Sequence, residues 1–159
     1  MYRIFVTVTA LSIAISPATA GTIRPQSGWV VIDTRYPFST LGERLESAVK
    51  GQHMGLVTLA SASEGAKAAG IHIPGNRVVG VFRNDFARRM LDASVSAGIE
   101  APIRFYVTEN PDGTATLAYK KPTTVFAPYA DEGKDALKGV AAELDEMFAK
   151  IAEQAAREK

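Results

Sequence analysis

Glu100–Pro122 reads EAPIRFYVTENPDGTATLAYKKP, and this stretch decides how the chain is built. Ile103, Phe105 and Val107 alternate with Arg104, Tyr106 and Thr108, the period of two that sends successive side chains to opposite faces of a strand. Asn110-Pro111-Asp112-Gly113 follows as a turn, in which proline presets φ and glycine accepts a positive φ. Ala115, Leu117 and Tyr119 then alternate with Thr116, Ala118 and Lys120 on a return strand. The stretch is a β-hairpin with an extended exit.

Working outward, the chain alternates strand-like and helix-like patterns. Upstream, Gly28-Trp29-Val30-Val31-Ile32-Asp33-Thr34 has strand composition. Trp29 and Val31 face one way and Val30 and Ile32 the other, and the apolar run predicts burial on both faces, or a place in mid-sheet. A turn at Tyr36–Ser39 leads to a helix, with Thr40 and Glu43 read as a capping box and Leu41, Leu45, Ala48 and Val49 on one face. Gly55–Ala60 is a second strand, and Ser63 is expected to cap a short helix ending near Gly70. Arg77–Phe82 is a third strand, whose Gly80 points to a bulge or a close backbone approach. Asn84 is expected to cap the next helix, with Phe86, Met90 and Leu91 inward. Downstream of the hairpin, Lys121–Ala130 reads as an irregular packed crossing. A long helix then runs from Asp131 to about Arg157, with Leu137, Val140, Ala141, Leu144, Phe148, Ile151 and Ala155 as one stripe. Packing of that stripe within its own subunit is favoured over a partner-binding face. The pattern predicts one α+β domain, its sheet largely antiparallel and its helices on one side.

Composition narrows the classes. A chain of 159 residues is sized for one domain, and 47% hydrophobic with 22% charged residues is ordinary for a folded one. There is no cysteine, which removes disulfides, thiolate metal sites and cysteine nucleophiles. Residues 1–20 read as a signal peptide: Arg3, an uncharged apolar run from Ile4 to Ile15, and Ala18-Thr19-Ala20 before the cut. The run falls short of the about 20 residues a span needs. The expected mature chain is periplasmic or secreted, with no membrane attachment after cleavage. Loss of Arg3 leaves 17 basic and 17 acidic side chains, so a nucleic-acid partner is not expected.

The segments Asn76–Asn84 and Glu100–Val107, the Leu41/Leu45 helix, the Asp112-Gly113 turn and the Tyr119…Pro122 exit together resemble the domain of unknown function 302 (DUF 302) family over about Val31 to Tyr129. The resemblance implies a curved, TATA-binding-protein-like antiparallel sheet and a homodimer. It supplies no catalytic residue. On this reading residues 1–20 are the leader, 28–130 the DUF 302-like domain, and 131–157 the C-terminal helix packed on it.

No phosphate loop, Gly-x-Ser-x-Gly or His-Glu-x-x-His motif is present. Ser61 and Ser63 read as loop and cap residues. His53 and His72 are the only imidazoles, candidates for haem or metal, but read first as loop histidines because a metal site needs several convergent ligands. Glu100 invites a general-base role in a hydrolase or lyase, with Tyr106 or Arg104 beside it; the favoured reading has it accept hydrogen bonds from backbone or Arg104 and fix the strand start. Arg83, Arg88 and Arg89 are a candidate anion cluster. Trp29, Tyr106 and Tyr119 are candidates to line an apolar pocket if both tyrosines share a face, though core packing is the favoured reading for aromatic residues on a sheet. The resulting expectation is a binding or accessory module with a small-molecule ligand, no cofactor, and Trp29, Glu100, Arg104, Tyr106 and Tyr119 as candidate contacts.

Overall fold

The computed structural model describes residues 23–158; the expected signal peptide lies outside them. Its strands are β1 (Trp29–Pro37), β2 (Gly55–Ala60), β3 (Asn76–Phe82), β4 (Ile103–Glu109) and β5 (Thr114–Lys120). Its helices are α1 (Phe38–Gly51), α2 (Ala62–Ala68), α3 (Asn84–Ala93), α4 (Pro122–Phe126) and α5 (Ala130–Ala156). The strands form one sheet in the order β1-β5-β4-β3-β2, with every neighbouring pair antiparallel. The β4–β5 hairpin therefore holds the middle, and its turn closes as its residues dictate. Gly113 takes φ +81°, and the Asp112 carboxylate accepts from the Thr114 amide at 3.0 Å.

The helices lie on one side. Val79, Val81, Phe105, Val107, Leu117 and Tyr119 meet Leu41, Leu45, Val49 and the α5 stripe in one core. Every member of that stripe is buried, so α5 covers the sheet of its own chain. Phe148 stacks on Phe105 with centroids 4.4 Å apart and planes 14° apart. Near its start α5 is interrupted at Lys134, where φ is +46°.

Several local expectations give way to neighbouring contacts. β1 is an edge strand, half-buried along Trp29–Ile32 rather than central, because β5 pairs with it on one side alone. It also runs on to Pro37, through the expected turn. α1 begins at Phe38 with Pro37 before it, so Thr40 already lies inside the helix and makes no cap. Ser61, not Ser63, caps α2, accepting from the Glu64 amide at 3.1 Å. Ser63 instead ties to Asn76, whose amide donates to its hydroxyl at 3.1 Å. Asn84 is the first residue of α3, with Arg83 at the cap position. Leu91 is exposed, while Phe86 and Met90 face the core. Residues 122–129 are helical, not irregular: Pro122 opens α4, where its missing N–H costs nothing, and a 3₁₀ turn carries Ala127–Tyr129 into α5. Among the described residues, no helix is long and apolar enough to cross a membrane.

Candidate functional site

The register sorts the hairpin's side chains onto two faces. Phe105 pairs with Tyr119, and Tyr106 with Ala118. Tyr119 thus turns to the helices, edge-on to Phe105 at 5.2 Å and 5.5 Å from Phe148. Tyr106 turns to the opposite face, which no helix of the described residues covers. The two tyrosines do not share a side, because the register pairs Tyr119 with Phe105 and so leaves Tyr106 one position out of step with it.

The open face is laid out in rows across the strands. One row runs Trp29 (β1), Lys120 (β5), Arg104 (β4), Gly80 (β3): Trp29 pairs with Lys120 and Gly80 with Arg104, and Arg104 follows as Lys120's neighbour one step beyond the Phe105–Tyr119 pair. The next runs Val31, Ala118, Tyr106, Val78. The third holds Asp33, Thr116, Thr108 and Asn76; here the Thr116 hydroxyl lies 2.7 Å from the Asp33 carboxylate.

A cleft of about 630 Å³ opens over the first two rows at the end of the sheet where β4 begins and β5 ends. All five candidate contacts, Trp29, Glu100, Arg104, Tyr106 and Tyr119, border it. Tyr119 does so while its ring stays in the core. Ala118, almost fully buried, lies between Trp29 and Tyr106 strands, and Thr124, Val125 and Pro128 close one side. That side is held by a tight approach: Gly28 takes φ +76°, its carbonyl accepts from the Lys121 amide at 2.8 Å, and a side chain there would run into Thr124. Asp145 on α5 anchors the same segment by accepting from the Thr123 amide at 2.9 Å and the Thr123 hydroxyl at 2.7 Å.

Charge in the cleft is uneven. Arg104 is exposed and forms no ion pair among the described residues. Lys120 also lacks a carboxylate partner there, and holds its ammonium 5.5 Å from the Trp29 ring centroid, a cation–π contact. Glu100 accepts a hydrogen bond from the Tyr129 hydroxyl at 2.8 Å, not from Arg104. That bond is the first cause of a Tyr129 pKa raised above the usual tyrosine value. Burial, and then the Asp145 charge, push Tyr119 up as well. Lys120, Ala118 and Tyr129 were not singled out from sequence. Lys120 has the strand parity of Ala118, which was available; Tyr129 comes from 29 residues away and leaves no local signal.

The other candidates scatter. Arg83 is paired with Asp85 at 2.7 Å and Arg89 with Glu143, so two of the three arginines of the expected anion cluster are already neutralised. His53 follows α1 at φ +56° and is exposed, and His72 is exposed in the loop before β3. Among the described residues no group of three or more His, Cys, Asp or Glu is placed to hold a metal. His72 borders a second depression of about 570 Å³, which reaches Tyr106 from the other end of the open face.

A family model described as "Domain of unknown function DUF302" matches residues 30–155. This chain belongs to the DUF302 family. The match runs through the sheet and along α5, consistent with one core shared by both. A solved structure of an uncharacterized conserved DUF302 protein from Bacillus stearothermophilus is similar, with TM-score 0.71 at 22% identity over 83% of this DUF302 chain and 100% of that one. At that identity the likeness concerns the fold. No curated protein matches the chain.

Proposed function

We propose that this DUF302 chain is a binding or accessory module whose open-face cleft takes a small molecule. One observation carries the reading: around a single cleft of about 630 Å³ converge two aromatic side chains and an arginine with no ion-pair partner among the described residues. Pockets that bind small molecules combine apolar walls with a few polar groups that orient the ligand. The test combines native mass spectrometry of protein taken from its own compartment with a thermal-shift screen. A retained or added compound should raise the melting temperature of the wild type and not of Ala118→Leu, which fills the floor. No retained mass and no stabilising compound would overturn the reading.

Three expectations from the resemblance and the leader-like residues 1–20 belong to the same proposal: export with cleavage after Ala20, a homodimer, and a curved, TATA-binding-protein-like form of the sheet. N-terminal sequencing of protein from the cell envelope tests the first. A monomeric mass by light scattering at micromolar concentration would overturn the second.

A further inference from the structure

We infer that the cleft's ligand is a flat aromatic monocarboxylate, its carboxylate held by Arg104 and Lys120 and its ring set against Trp29 and Tyr106; this rests on the binding-module reading above. Cations directly opposite each other on neighbouring antiparallel strands repel. Arg104 and Lys120 sit in that relation, and none of the described ion pairs relieves it. The arrangement leaves a place for an anion. Among the described residues the charged side chains bordering the cleft are Arg104, Lys120 and Glu100, which together carry one net positive charge and match one carboxylate better than a dianion.

The body of the ligand follows from the row behind the cations. Successive rows on one face are two residues apart, roughly 6.6 Å along the strand. The next row holds the buried Ala118 on β5 and the part-exposed Tyr106 on β4, so a group held at Arg104 and Lys120 carries its body alongside Tyr106. Strands on either side of β5 stand about 10 Å apart, two inter-strand spacings. β1 carries Trp29 in the cation row and β4 carries Tyr106 in the next, so the two aromatic side chains lie on a diagonal across β5. Both border the cleft and offer apolar faces to a planar ring. Charge-assisted hydrogen bonds from a guanidinium and an ammonium supply orientation.

Isothermal titration with 2-naphthoate, 2-naphthamide and decanoate tests this, with circular dichroism confirming that each variant folds. We expect one naphthoate per chain. Arg104→Ala and Lys120→Ala should each weaken it roughly tenfold or more, while Lys121→Ala, one residue past β5 and outside the cleft, leaves it unchanged. Naphthamide, with the same ring and no charge, should bind at least roughly tenfold more weakly. Absence of naphthoate binding, naphthamide binding as tightly, or equal loss in Lys121→Ala overturns the carboxylate assignment. Decanoate binding more tightly overturns the planar body. If naphthoate fails but another compound stabilises the wild type and not Ala118→Leu, this inference falls and the binding-module reading stands.

Discussion

At Gly80 a β-carbon would collide with the Thr58 hydroxyl and come within 2.9 Å of Pro102 Cγ. β2 shifts register between Leu56 and Thr58, which brings Thr58 opposite Gly80. Gly80→Ala should therefore cost about 1–3 kcal/mol by overpacking, and Thr58→Ala in the same chain should restore part of that, as urea denaturation of the double-mutant cycle will show. A close approach at Gly80 was legible from a lone glycine within a strand; the identity of the intruder was not, because it comes from another strand. Tyr119 makes a pH prediction. Its folded pKa is raised by burial above the ordinary 10.0, so its contribution is fully present below about pH 10 and is lost as pH rises through the folded value. Stability should fall on the alkaline side, and Tyr119→Phe should flatten that fall when urea midpoints are compared between about pH 8 and pH 11.

At the scale of elements, the end of α5 shows what spacing leaves out. The last carbonyls of a helix have no partner within it. Arg44 of α1 supplies one: its guanidinium donates to the carbonyls of Ala155 at 2.6 Å, Arg157 at 2.7 Å and Gln154 at 3.1 Å. The Tyr36 hydroxyl adds a donor to Arg157 at 2.7 Å, and its ring lies 4.4 Å beneath the guanidinium carbon. Arg44→Ala should lower stability by about 1–3 kcal/mol, seen as a drop in melting temperature, whereas Arg44→Lys should recover only part because one ammonium cannot span the three carbonyls. The α5 stripe itself was legible, since seven apolar residues at helical spacing admit one buried face. Caps are less legible. Thr40 and Asn84 have the right chemistry, but the chain enters each helix earlier, where β1 and β3 end.

Across the whole molecule, the sheet has one face under helices and one face open, and the cleft occupies the open one. Arg104 and Lys120 lie outside the core, so Arg104→Ala and Lys120→Ala should change the stability of the unliganded protein by at most about 0.5 kcal/mol, with any change toward greater stability as the opposed charges are relieved. A larger loss in thermal unfolding would mean that these side chains serve the fold rather than a ligand.

What could be read along the chain was whatever repeats locally. Period two gave the strands, the Pro111–Gly113 turn gave the hairpin, and the long amphipathic stripe gave α5 and its buried face. These depend on residues within a few positions of one another, where backbone geometry alone dictates which side chains share a side. The pairing of strands depends on contacts far apart in sequence. Only the register of β4 against β5 separates Tyr106 from Tyr119. Only the order β1-β5-β4 brings Trp29 beside Lys120 and Arg104. Only the fold of residues 122–130 sets Tyr129 against Glu100. Trp29, Glu100, Arg104, Tyr106 and Tyr119 were legible in the hairpin and the first strand and they do border one cleft, but the place of Lys120 beside Arg104, and the face of the sheet on which each lies, were decided by strand pairing and burial: the helices cover the side whose area is most apolar, and leave the other to water.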